Sequence, residues 1–138
     1  MAEASPLNGY GPLDSDSVVR AAATLNADET SSENTFTLEG GSPLDQGYAV
    51  VANFPTTPTG TSPSVKVNLK ASDAGDLIEV THTDAIDSNT TYPFTLVLPV
   101  PPSRSENWEV EFDVSGTSPV FANVSAYVTR RVHAKVDA

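Results

Sequence analysis

In WEVEFDV, Trp108, Val110, Phe112 and Val114 fall on one side of an extended chain, and Glu109, Glu111 and Asp113 on the other. Successive side chains of a strand point to opposite faces, so this stretch predicts a strand with one buried and one wet side. SVKVNLKAS repeats the pattern, with Val65, Val67, Leu69 and Ala71 inward and Lys66, Asn68 and Lys70 outward. GYAVVANF offers Tyr48, Val50, Ala52 and Phe54, and TYPFTLVLPV offers Phe94, Leu96, Leu98 and Val100. NTFTLE and LIEVTHT are shorter examples. VFANVSAYVT predicts a long last strand, with Val120, Ala122, Val124, Ala126 and Val128 on one face and Phe121 and Tyr127 on the other. SVVRAAATLN suits either a helix, for its alanines, or a strand, for Val19, Ala21, Ala23 and Leu25. The turn-rich ADETSSEN after it favours the strand.

Between these runs lie NADETSSEN, GGSPLDQG, PTTPTGTSP, SDAGD, DAIDSN, PPSRSEN and SGTSP, which read as turns. Pro93 and Pro99 mark the strand around Phe94 as an edge or a bulge, because proline cannot donate to a ladder. Seven or eight short strands at this spacing predict an all-β, antiparallel sandwich, jelly-roll-like or immunoglobulin-like. The expected organisation is an extended amino-terminal arm over residues 1–17, a β-sandwich domain over 18–129 and a basic tail over 130–138. The lysines facing outward from 64–72 and the acids facing outward from 108–114 predict that these two strands are neighbours. Directly opposed opposite charges favour pairing by about 0.2–1 kcal/mol each.

Composition narrows the function classes. A chain of 138 residues buries roughly 68% of its unfolded surface, enough for one domain with its own core. There is no Cys, so disulfides, thiolate metal sites and a cysteine nucleophile are excluded. That absence points to a reducing compartment. No basic start leads into an apolar stretch, and no apolar run reaches membrane-spanning length, so neither a signal peptide nor a transmembrane helix is expected. The formal charge of −11 argues against nucleic acid as a partner. Charge is uneven: residues 1–63 carry Arg20 as their one base, whereas RRVHAKVDA carries Arg130, Arg131 and Lys135.

Candidate chemistry is sparse. His82 lies within a predicted strand and His133 in the tail, and no strand-to-helix GxSxG elbow accompanies them. Glu109 and Glu111 sit about 7 Å apart along one strand face, a spacing tolerable for glycoside hydrolysis, but a solvated outer face explains them better. DSDS, SDAGD and DAIDSN are possible calcium donors without the twelve-residue loop pattern, and read as Asp-rich turns. NTT and NVS match the glycosylation acceptor pattern by chance. No catalytic residue, cofactor or metal is expected. Carbohydrate stacking needs free aromatics, and Tyr10 alone lies outside the predicted sandwich.

SPLNGYGPLD, residues 5–14, has neither strand nor helix period. Ordering fourteen residues costs about 1–2 kcal/mol each, while burying Leu7, Tyr10 and Leu13 returns about 2–3 kcal/mol apiece. A free monomer is therefore expected to leave the arm mobile, and an ordered arm to lie in a groove or along an edge strand, between subunits. The cations of the tail suit an acidic surface.

An acidic, cysteine-free β chain with MAEASPLNGYGPLDSDS as an arm, strands from about Val18 to Thr129 and TRRVHAKVDA as a tail resembles the capsid decoration (cement) proteins of tailed bacteriophages, or a related small virion protein. The resemblance is one of overall character across the chain. It implies a structural protein, not an enzyme, made in the host cytoplasm and carried on the outside of the capsid. There it would reinforce contacts between capsomers as a homo-oligomer, with the major capsid protein and copies of itself as partners. Leu7, Tyr10, Leu13, Arg130, Arg131 and Lys135 are the expected partner-binding residues. The alternative is a non-catalytic glycan- or surface-binding module.

Overall fold

The computed structural model describes residues 18–29, 33–42, 47–73, 76–83 and 85–130, with the backbone alone for 72–73 and 76–82. Eight strands follow in chain order: β1 (Val18–Leu25), β2 (Thr35–Thr37), β3 (Tyr48–Phe54), β4 (Thr59–Asp73), β5 (Asp76–His82), β6 (Ile86–Asp87), β7 (Phe94–Pro99) and β8 (Asn107–Arg130). The protein is all-β, with one antiparallel sheet curled into a half-barrel. A hydrogen-bonded path runs β5-β4-β8-β3-β7, with β1 and β2 also on β8 and β6 on β4. The pairing joins all eight strands through β8, which shares one set of ladders with β1 and β3 and another with β2 and β4.

The predicted strands all appear, and β1 is a strand rather than a helix. The two runs WEVEFDV and VFANVSAYVT are one element, however. β8 passes through SGTSP without stopping, and β4 begins before GTSP and runs through it. These two predicted turns are bends inside long strands. The tetrapeptide Gly-Thr-Ser-Pro stands at 60–63 and again at 116–119, and the copies meet: Thr59 opposes Val120 and Thr61 opposes Thr117. Gly60 and Gly116 have φ of 110° and 114°, and Ser62 and Ser118 both have φ of 50°. Side chains rarely adopt the glycine values. A Cβ on Gly60 would stand 2.4 Å from the Ser118 carbonyl oxygen, and one on Gly116 would stand 2.6 Å from that of Ser62. Only bare backbone lets the two chains approach this closely, so the double bend turns one half of the sheet over the other.

Either side of the bend, β8 is central. Its first half is flanked by β2 and β4, and its second by β1 and β3. The lysine-bearing and acid-bearing strands are neighbours as expected: Lys66 opposes Asp113, Asn68 opposes Glu111 and Lys70 opposes Glu109. The core collects the predicted inward residues, among them Val50, Ala52, Phe54, Val65, Val67, Leu69, Trp108, Val110 and Phe112. Phe36 stacks on Trp108 at 6.1 Å, and Phe54 meets Phe121 edge-on at 6.1 Å.

Three inward/outward assignments are corrected. Phe121 lies in the core with Val124, Ala126 and Val128 rather than opposite them. The β1–β8 register shifts between the Ala23–Val124 and Leu25–Phe121 pairs, next to Asn123 at φ 55°. Such a bulge flips the side-chain phase by one residue. In β1 itself Val19 and Leu25 are buried, but Ala21 and Ala23 are exposed and Arg20 is buried, because the register shifts at every step. Glu109 was expected in solvent and is 1% exposed.

Candidate functional site

Three places in the fold gather functional groups. The first is a clasp where Glu29 and Asn34 meet β8. Glu29 and Phe112 exchange backbone hydrogen bonds of 2.9 and 3.0 Å, and the Val110 amide donates to the Asn34 carbonyl at 2.8 Å. Arg20 reaches them from β1. Its guanidinium donates to both carboxylate oxygens of Glu29 at 2.8 and 2.7 Å. It also donates to the carbonyls of Ala23, Thr24 and Val124. The Asn34 amide donates to the same Glu29 at 2.9 Å. The guanidinium carbon lies 5.8 Å from the centre of the Phe112 ring. The Arg20 hydrogen bond, aided by that from Asn34 and by the guanidinium charge, holds the Glu29 carboxyl below its ordinary value against the opposing effect of burial. All five Arg20 guanidinium hydrogen bonds go to acceptors of the chain itself, so the clasp reads as a staple between β1, Glu29 and β8.

The second is the polar side of β4 and β8. The Asn68 amide donates to Glu111 at 2.9 Å, and Lys70 pairs with the same carboxylate at 3.3 Å. Glu109 is buried beside them and is not without a partner. A solvated acidic face is therefore the wrong description. Alternation shows which side of a strand a residue takes, not whether that side is covered. The Glu111 carboxylate is engaged by both an amide and an ammonium from β4, which suits cross-strand pairing.

The third is the end of the sheet where β1 starts and β8 finishes. Val18 opposes Tyr127, and Tyr48 opposes Arg130. Arg130, the one predicted partner-binding residue within the described part, is exposed there. Leu7, Tyr10, Leu13, Arg131 and Lys135 lie outside the described residues. Because β1 and β8 are antiparallel, the first described residue and the last sit on adjacent strands at one pole.

Other candidates fall into place individually. His82 belongs to β5 with its backbone opposite Asn68, and His133 lies outside the described residues. Of the possible calcium loops, 14–17 lies outside them and SDAGD spans the end of β4 and the start of β5. Asp87 accepts from the Asn89 amide at 2.9 Å, the turn expected of an Asp bonding its own backbone. Tyr92 donates to the Asp87 carbonyl at 2.6 Å, and burial, with the nearby Asp87 charge, pushes its phenol up despite the opposing Thr90 hydrogen bond. Among the described residues no group of three or more His, Asp or Glu could hold a metal ion. Sequence reasoning missed the clasp, since Arg20 lies in an alanine run and Glu29 in a turn. It also missed the double bend, for which the repeated GTSP was a usable signal.

The chain matches no protein-family model and no curated protein.

Proposed function

We propose that the protein is a structural component of a virus particle, binding the outside of a phage capsid lattice and reinforcing contacts between capsomers. The observation that carries the reading is the common pole. β1 begins and β8 ends on neighbouring strands, so the acidic, proline-bearing arm and the basic tail both join the sheet at one pole. One-sided attachment through two tethered segments makes each contact weak and the sum strong, because the second contact forms at high effective concentration. Arg130 supplies a cation at that pole and the sequence that follows it carries Arg131 and Lys135, on a chain of formal charge −11, which suits an acidic surface on the lattice or on a neighbouring copy. A sandwich of two facing layers, jelly-roll-like or immunoglobulin-like, remains part of this reading; the double bend is the device by which such a layer would be turned over.

The glycan-binding alternative calls for exposed aromatics. Of the nine outside residues 1–17, none is exposed: Phe36, Phe54, Trp108, Phe112 and Phe121 are buried, and Tyr48, Tyr92, Phe94 and Tyr127 are half-buried. No specific observation favours it.

The test is biochemical. The protein is expected to purify with assembled particles, and deletion of residues 1–14 is expected to lower the temperature at which those particles break open. Recovery solely as a free monomer, with particle heat resistance unchanged by the deletion, overturns the proposal.

A further inference from the structure

β1, β2, β5, β6 and β7 each pair with a single described strand, so each leaves one side of its backbone as an edge of the sheet. An open edge is a template for another strand, and proteins blunt it with charge, bulges or shortness. Here all but one are blunted. β2 and β6 are three and two residues long. β1 shifts register on β8 at every step and carries Arg20. β5 carries Asp76, Glu79 and His82 and shifts once on β4. β7, Phe94–Pro99, holds no charge and pairs with β3 along its whole length, from Phe54↔Phe94 to Ala49↔Pro99, without a shift.

The phase of that pairing shows what the edge offers. The Val100 amide donates to the Tyr48 carbonyl at 2.8 Å, extending the β3–β7 ladder by one step. Backbone groups of an antiparallel strand alternate between its two sides, so Phe94, Leu96 and Leu98 turn their amides and carbonyls toward β3. Thr95, Val97 and Pro99 turn theirs outward, to the side where no described strand pairs. Pro99 has no amide to leave unpaired, and an edge position of this kind is where a strand accepts proline. Thr95 and Val97 are exposed, Val97 at 38%. On the opposite face of β7, Phe94 and Leu96 are half-buried against the margin of the core.

We infer that β7 is a docking edge for a second copy of this chain, the two β7 strands pairing antiparallel about a two-fold axis at Leu96. In that register Thr95 exchanges both backbone hydrogen bonds with the partner's Val97, so every outward amide of the strand is satisfied. Leu96 meets the partner's Leu96, and Phe94 meets the partner's Leu98, which covers the half-buried margin with apolar side chains. A two-fold contact needs a self-complementary surface. This edge is one, and along it a chain of formal charge −11 brings no charge against its own kind. The edge is about 20 Å long and about 10 Å deep, well below the roughly 800 Å² per partner of a stable dimer. The dimer is therefore transient and forms as concentration rises. It holds whether or not the protein belongs to a virus particle.

Sedimentation velocity and amide NMR of the full-length protein across a concentration series test this. The sedimentation coefficient is expected to rise with concentration, and the Thr95 and Val97 amide signals to shift with it. Val97→Pro removes an outward amide while leaving the β3 ladder whole, and is expected to raise the dissociation constant about tenfold or more. Val97→Lys charges the edge without touching the backbone and is expected to weaken the dimer too. Unchanged tryptophan emission shows that both variants are folded. The chain has no cysteine, so Leu96→Cys sets two thiols across the axis with Cα atoms about 4.5 Å apart, within disulfide reach. It is expected to oxidise to a covalent dimer far faster than Ala22→Cys, an exposed position on β1. A monomer at every concentration overturns the inference. So does a dimer that neither Val97 variant weakens, or equal cross-linking at the two cysteine positions. Slow solvent exchange of the Thr95 and Val97 amides in dilute protein assigns the edge to another segment of the same chain and overturns it as well.

Discussion

Gly116→Ala tests the double bend most sharply. The new methyl would meet the Ser62 carbonyl oxygen at 2.6 Å, that of Thr61 at 2.9 Å and the Pro63 Cα at 3.0 Å. All three are backbone atoms of a paired strand and cannot swing aside. At φ 114° the substitution also strains its own backbone, by about 1–3 kcal/mol. Overpacking adds a further 1–3 kcal/mol or so. We expect a loss of about 4 kcal/mol, a large part of the 5–15 kcal/mol or so that holds a domain together. Gly40→Ala is the matched control: Gly40 also has positive φ, 79°, but nothing lies within 4 Å of its Cβ position. It is expected to cost about 1–2 kcal/mol, from backbone strain alone. Urea unfolding followed by fluorescence of the single tryptophan, buried at 1% against Phe36, reads both variants. The Gly60→Ala/Gly116→Ala double variant is expected to cost less than the sum of its parts, since either methyl already opens the bend. A Gly116→Ala loss no greater than that of Gly40→Ala refutes the close approach of the two strands.

Further outcomes follow from the clasp and the core. Glu29→Gln leaves Arg20 buried without its carboxylate but with three carbonyl acceptors, and is expected to cost about 3 kcal/mol by thermal or urea unfolding. The Glu29 pKa is depressed in the fold, so its contribution is full above the ordinary 4.5 and is lost as pH falls through the lower folded value. Stability measured from pH 5 downward is therefore expected to fall more steeply in the natural protein than in Glu29→Gln, and equal slopes contradict the assignment. Phe36→Ala removes the ring stacked on Trp108 and is expected to cost about 3–5 kcal/mol, with a shift in the tryptophan emission. Lys66→Glu sets a like charge opposite Asp113 on an exposed part of the β4–β8 ladder, and is expected to cost under about 1 kcal/mol, less in high salt.

Most strands were legible because alternation survives wherever one sheet face is dry. The inward series of β4 and that of Trp108, Val110 and Phe112 were correct residue by residue, and the lysine and acid series on their outer sides predicted that they pair. The failures share a cause. A bulge at Asn123 and repeated register shifts in β1 reverse the phase over a few residues, which a fixed period of two cannot follow. Gly60 and Gly116 sit in turn-like sequences, yet glycine there serves the crossing of two strands. Whether a glycine with flanking Ser and Pro ends a strand or bends it depends on the chain opposite. Glu109 shows the same limit in charge: an acid in an alternating strand looks wet until the layer beside it is known. The clasp needed three distant positions, Arg20, Glu29 and Val124, and no local pattern links them. The pole where β1 starts and β8 ends was also hidden, since which strands become neighbours is set by topology.

Cryo-electron microscopy of native particles tests the central claim most directly. The account predicts an added β-rich density on the outer surface of the head, with the pole formed by Val18 and Arg130 turned toward the lattice. Particles whose outer surface is fully explained without this chain, while the protein stays in the soluble fraction, contradict it.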